Sequence, residues 1–297
     1  MMLNQEINLK KLDLNHVYNL QDPQLYYQLI TQYKYDLPER AKSYFMKVIN
    51  AYRDYESVYS LKILDIGCSY GINAALLKFD KSMTELYQYY TNPLRLQQAE
   101  LSRRNLDHTW FHESNVDEGL QFIGLDSAEQ AVNYAVESQL IQSGIPTNLE
   151  KLPLLKEDYA NHLQDINLLI STGCIGYITE VTFDKILTPV RNLSQLWGAV
   201  FILKMFDISE IKKTLGKYNL ILVETDVTVK QRKFSSLEEK KSIIDLIEQQ
   251  GLNAEAEKES DNLFAQLFLI FPLHLTSKQS IKKLLCDLKN SSKDVIC

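Results

Sequence analysis

Apolar and polar positions alternate in two registers along this chain, and the change between them near Leu61 is abrupt. Before it, Asp22-Pro23 has the form of a cap and first-turn proline. Leu25, Tyr26, Leu29 and Ile30 follow at helical spacing. A second helix is predicted after Leu37-Pro38, with Ala41, Tyr44, Phe45, Val48 and Ile49 on one face. Tyr33-Lys34-Tyr35-Asp36 lies between the two. Then Leu61 to Ile66 forms a short apolar run, Gly67-Cys68-Ser69-Tyr70-Gly71 a turn, and Ile72 to Lys78 a helix. Residues 84–119 read as helical and rich in Gln, Arg and Glu. A second apolar run ends at Asp126, before a helix predicted from Ala128 to Gln142.

The alternation continues. Asp165 to Ser171 is a predicted strand, Thr182 to Leu193 a helix, Gly198 to Phe206 a strand and Leu220 to Val229 β-rich. Gln231-Arg232-Lys233-Phe234 reads as a turn placed either against substrate or in solvent. Ser236 to Gln250 is an amphipathic helix that Gly251 would close. Ala254 to Glu259 and Asn262 to Pro272 are predicted as two final antiparallel strands, and Ser277 to Cys297 as a helical tail. Strands alternating with helices predict an α/β fold with a doubly wound parallel sheet. Ligands of such sheets bind beyond the carboxyl ends of the strands. Gly67 and Asp126 both fall there.

A glycine just after a strand lets the backbone turn tightly and approach a ligand. The next helix offers unpaired N–H groups. A carboxylate ending the neighbouring strand can accept hydrogen bonds from a ribose. With these features, LKILDIGCSYGINAALL resembles motif I of class I S-adenosylmethionine (SAM)-dependent methyltransferases, and FIGLDSAEQAVNYA resembles the strand and helix that follow it. The similar block runs from Leu61 to Pro272, roughly two thirds of the chain. The resemblance implies a Rossmann-like sheet, mostly parallel with a reversed final strand. Asp65 and the turn of Gly67, Cys68, Ser69 and Gly71 would approach the methionine part of SAM. Asp126 would hold the ribose, and Ser127, Thr172 and Gly173 are expected among the cofactor-binding residues. Two departures stand out. Ser69 replaces the family's central glycine. Asp126 lies 55 residues after Gly71, where dinucleotide sites place their acid about 20 residues on. Residues 80–119 therefore read as a helical insertion bordering the pocket. The expected organisation is a helical N-terminal lid over 1–58, a SAM-binding domain over 59–275 carrying that insertion, and a tail over 276–297.

Chemistry is expected at the end of the fourth strand, Ser171 to Tyr177, whose glycines suggest close backbone approach to a ligand. That segment holds no acid, His or Lys. Hydroxyl methylation generally needs a base within hydrogen-bond reach. Candidates are Tyr35, Tyr177 and His112, each set against a purely structural role; Tyr177 and Tyr35 are taken as the catalytic pair. His108 and His112 would share a helix face, but no third metal ligand is evident, and no metal is expected. Cys68 beside a helix N-terminus would have a lowered thiol pKa, against the plainer reading of a small side chain under the cofactor. The tyrosine-rich N-terminal helices would cover a sulfonium, since aromatic faces attract desolvated cations, against the plainer reading of an aromatic core.

Composition narrows the partners. The formal charge is −6 and the Lys and Arg residues are scattered, whereas nucleic acid binding needs them clustered. No CxxC spacing links Cys68, Cys174, Cys286 and Cys297. Met1 to Lys10 lacks an apolar signal core. Leu263 to Leu275 is too short and interrupted to span a bilayer. A cytoplasmic monomer or homodimer acting on a small molecule, without nucleic acid or membrane, is the expectation. G-x-G-x-x-G is missing after the first strand, which disfavours a nicotinamide enzyme. Three functions remain open: methyl transfer to a small organic molecule; cyclisation of SAM to azetidine-2-carboxylate with release of methylthioadenosine; and a non-catalytic SAM-binding partner module.

Overall fold

Leu61–Ile66 (β1) is the strand its apolar run predicts, buried except at Lys62 because neighbours pair on both edges. The computed structural model describes residues 15–113, 115–158 and 162–293. The first part of the expected lid, residues 1–14, and the end of the tail, 294–297, lie outside the described residues.

The other strands are Leu120–Leu125 (β2), Ser143–Ile145 (β3), Leu168–Thr172 (β4), Trp197–Leu203 (β5), Leu220–Lys233 (β6) and Asn262–Pro272 (β7). They form one seven-stranded sheet in the order β3-β2-β1-β4-β5-β7-β6. Pairing is parallel from β3 to β5, and β7 runs antiparallel to both β5 and β6. This is the expected doubly wound, Rossmann-like sheet with a reversed final strand. Every residue of β5 is buried, as a central strand covered on both faces should be.

Helix Leu37–Glu56 lies across one face. Its Tyr44 and Phe45 meet Phe201 edge-on at 6.1 and 5.6 Å, and Tyr52 meets Trp197 at 5.3 Å. Before it come helices Asn15–Tyr18 and Gln24–Gln32. The insertion folds as helices Met83–Tyr90, Pro93–Leu96 and Glu100–His112. Among the described residues no helix is long and apolar enough to cross a membrane.

Several local expectations need correction. Ala254–Glu259 is not a strand: Glu255–Glu259 forms a short helix. Its EAEKE sequence lacks apolar alternation, and β7 already has partners on both edges. Gln231-Arg232-Lys233 is not a turn but the end of β6, which runs 14 residues and absorbs two register shifts. The helix after β2 stops at Glu137, because Gln139 turns left-handed (φ 57°) and leads into β3. Strand β3, only three residues long, is too short to leave a periodic signal. Gly251, at φ +72°, closes helix Leu237–Gln249 as predicted.

Residues 80–119 pack against the N-terminal segment. Arg95 bonds Asp107 at 2.7 and 2.8 Å and Asp22 at 3.0 and 3.2 Å. Asp107 is fully buried and also accepts from Tyr89 at 2.8 Å and Tyr134 at 2.7 Å. Tyr90 stacks on Tyr27 of the N-terminal segment at 4.4 Å. Tyr70 donates to the carbonyls of Val17 and Leu20. A buried ion pair stands only when its remaining hydrogen-bonding capacity is met, and here four tyrosine and arginine donors meet it. No described residue of 80–119 lines the large cavity described below, so the insertion does not border the pocket; it clasps the helices that do.

Candidate functional site

The parallel register sets Asp65 opposite Gly124 and Ile66 opposite Leu125, so the carboxyl ends of β1 and β2 lie side by side. The turn after β1 bends onto the end of β2. Gly67 N–H donates to the Leu125 carbonyl at 2.7 Å, and Ser69 N–H to Asp126 Oδ2 at 2.9 Å. Asp126 Oδ1 accepts from Ala128 N–H at 3.0 Å. One carboxylate thus joins both turns across the intervening insertion. Burial pushes its pKa up, and the N–H groups of Ala128, Ser69 and Ser127 pull it back.

Ser69, in the middle of the 67–71 turn, is left-handed at φ 49°. A short polar residue tolerates this conformation with little cost, and its N–H bond to Asp126 holds it. Its Oγ is buried without a partner. Gly67 (φ +77°) is required for a different reason than ligand approach: a Cβ there would lie 2.5 Å from Cys174 Cβ. Gly71 (φ +79°) packs on Ala135 and Leu140 and does not line the cavity.

Asp65 is fully buried behind the cavity wall. Asn73 Nδ2 donates to its Oδ1 at 2.9 Å and to Thr172 Oγ1 at 3.2 Å, while Asp65 Oδ2 has no partner. Burial raises its pKa to about 7, against the Asn73 hydrogen bond, with Asp126 adding to the rise. The carboxyl therefore reaches the cavity through Asn73.

The cavity encloses about 630 Å³ over the tips of β1, β2 and β4, beneath the N-terminal segment. Of the residues singled out from sequence, Gly67, Cys68, Ser69, Asp126, Ser127, Thr172, Gly173, Tyr35 and Tyr177 line it together. Tyr18 and Tyr26 of the N-terminal segment, in edge contact at 5.1 Å, form part of its roof. Tyr35 Oη donates to the Thr172 carbonyl at 3.4 Å, and burial raises its phenol well above the ordinary value. Such a phenol keeps its proton at neutral pH, so Tyr35 is a donor rather than a base. Tyr177 stands half-exposed at the rim.

Other candidates separate from the site. His108 and His112 stack at 4.2 Å on helix Glu100–His112, away from the cavity. Among the described residues no group of three metal-type ligands occurs. The Cys68 thiol is pushed up, not down, by burial and by Asp126 and Asp65, which outweighs the helix terminus.

Some lining residues were missed from sequence. Asn73 had a legible signal, a lone amide in the apolar stretch Ile72 to Leu77. Asn148 and Glu150 follow the unseen β3. Glu150 accepts from Thr179 and Thr182, at 2.6 to 2.8 Å through their hydroxyls and Thr179 N–H, and so braces the start of helix Glu180–Leu187, which Thr179 caps. Gln231 and Arg232 were not missed: the segment read from sequence as a turn against substrate or in solvent does reach the cavity, as the end of β6. Arg232 is paired to Glu239 at 2.6 and 3.0 Å.

No protein-family model and no curated protein matches the chain. Among solved structures it is similar to a TehB-like SAM-dependent methyltransferase from Corynebacterium glutamicum, with 13% identity, 73% of this chain and 84% of that chain covered, and a TM-score of 0.36. It is similar also to the magnesium protoporphyrin IX methyltransferase of Synechocystis with bound SAM, at 10% identity, 78% and 80% coverage and a TM-score of 0.35. For the plantazolicin methyltransferase BpumL in complex with SAH, the values are 14%, 91%, 99% and 0.34. Identities and scores this low leave activity to be argued from the chain's own residues.

Proposed function

We propose that this protein is an enzyme that binds SAM at the β1–β2 tips and transfers its methyl group to a small organic molecule. The observation that carries the reading is Asp126. Its carboxylate ends β2, is fixed by N–H donors from both flanking turns, and lines a large cavity beside the 67–69 turn. A carboxylate so placed suits a pair of ribose hydroxyls. The donor set fits the rest of SAM as well. Ser69 Oγ is buried with unused hydrogen-bonding capacity, and tyrosine rings cover the chamber, where a sulfonium would find aromatic faces. The motif block around Asp65 and Gly67 belongs to the same picture. When bound, SAM supplies an electrophilic methyl group.

The chain's own residues bind, orient and exclude water. Asp126 and Ser127 would hold the nucleoside. Asn73, backed by Asp65, and Thr172 would orient the methionine end. The lid helices, clasped through Arg95 and Tyr70, would close the chamber. Catalysis would then rest on alignment rather than on acid–base assistance.

Calorimetry and native mass spectrometry with SAM, S-adenosylhomocysteine (SAH) and NAD test this. Binding of SAM and SAH but not NAD is expected, and no affinity for either sulfur nucleoside overturns it. Incubation with SAM alone separates the readings further: methylthioadenosine appearing without any added substrate would favour cyclisation. SAM binding with no turnover of any kind would favour a partner module.

A further inference from the structure

The residues facing the cavity include few groups able to accept a proton. The lining carboxylates are Asp126, engaged with two N–H donors, and Glu150, occupied by Thr179 and Thr182. No described lining residue is His or Lys. Arg232, the lining cation, is neutralised by Glu239. Tyr35 keeps its proton.

Gln231 stands apart. It is 8% exposed and lines the cavity, and its Oε1 is buried with no hydrogen-bond partner. Its amide lies against the end of β4: Nε2 would be 2.7 Å from a Cβ on Gly173. The backbone there is held from both sides. Asp36 N–H donates to the Gln231 carbonyl at 3.1 Å, and Lys233 N–H to the Tyr33 carbonyl at 2.8 Å. The lid is thereby stitched to the end of β6, and Gln231 is fixed between them. Leaving a buried acceptor unsatisfied costs about 1–3 kcal/mol, a cost that a ligand N–H reaching this oxygen from the cavity side would relieve.

Resting on the SAM reading above, we infer that the methyl acceptor is an amine, and that Gln231 Oε1 positions it by accepting a hydrogen bond from its N–H. A neutral amine carries its own nucleophilic lone pair; an alkylamine reaches that form by giving its ammonium proton to solvent before it is enclosed, so no lining base has to act during attack, unlike for a hydroxyl. A carboxylate would also need no base, but it would bring a negative charge beside an unpaired oxygen with no uncompensated cation facing it among the described residues. In the transfer, the nitrogen lone pair forms the N–C bond. The S–C bond breaks with its electron pair staying on sulfur, and the ammonium product then loses its N–H proton to solvent. The tyrosines of the roof suit the positive charge that moves from sulfur to nitrogen.

The test is calorimetric, on the SAH-loaded protein, with matched arylalkyl amine, phenol and carboxylate probes: phenethylamine, 4-ethylphenol and phenylacetate. The amine is expected to bind tightest. Gln231→Leu should weaken amine binding by about tenfold, the equivalent of one lost buried hydrogen bond, and leave SAH affinity unchanged. Gln231→Glu, which keeps an acceptor oxygen, should retain amine binding and guards against a folding defect in the leucine variant. Preference for the phenol or the carboxylate, or amine binding indifferent to Gln231→Leu, overturns the inference. Absence of SAH binding by the unmodified protein instead refutes the underlying cofactor reading.

Discussion

Gly67→Ala probes the closest approach in the site. The new Cβ would lie 2.5 Å from Cys174 Cβ and 2.9 Å from its Sγ. The first distance is between backbone-anchored atoms and cannot be relieved by a rotamer change. Gly67 also sits at φ +77°, where an L-residue costs about 1–2 kcal/mol. Overpacking of a buried contact adds about 1–3 kcal/mol. Together they predict a loss of about 2–5 kcal/mol, a large part of a typical domain's stability. Denaturant unfolding at constant m-value measures it. The two contributions are separable by partner substitution. Cys174→Gly removes the Cβ and should recover the packing part, leaving only the backbone cost; Cys174→Ala keeps the Cβ and should recover little. The coupling energy from the double-mutant cycle with Cys174→Gly should therefore be about 1–3 kcal/mol. A Gly67→Ala effect within about 0.5 kcal/mol, or equal rescue by both cysteine variants, refutes the reasoning.

Asp126→Asn turns an NH₂ toward one of two N–H donors, so it should cost about 1–3 kcal/mol of stability and weaken SAM in a calorimetric titration by tenfold or more; unchanged affinity would remove the ribose role. Burial lifts the Asp65 pKa from 3.8 to about 7, so the folded state holds this proton more tightly than the unfolded state. Stability from this group is complete below about pH 4 and falls as pH rises toward 7, at up to about 1.4 kcal/mol per pH unit. Asp65→Asn should flatten that decline in unfolding experiments between pH 4 and 8, and an unchanged slope would count against it. Asp107→Ala leaves Arg95 buried without its main partner and should cost about 3–5 kcal/mol, with faster amide exchange in helix Gln24–Gln32; protection equal to wild type there would mean the clasp does not hold the lid.

What the sequence determined by itself was local. The apolar runs ending at Asp65 and Asp126, the glycine turn after the first, and helices at 3.6-residue spacing all show in short windows, because burial on a strand or helix face repeats within a few residues. So did the doubly wound class, since the order of strands and helices carries it. Strand β3 escaped because three residues hold no period, and with it went Asn148 and Glu150. Ala254–Glu259 reads as a strand from sequence, and only the sheet pairing shows that β7 has no free edge to receive it. Tertiary structure alone decided the rest. It brought Gln231 from an edge strand to Gly173, assigned the missing Gly67 Cβ to Cys174, and turned the insertion into a clasp around Arg95 and Asp107. These are contacts between residues about a dozen to about a hundred positions apart. Their energies depend on how whole elements stack, a quantity that no window of the chain contains.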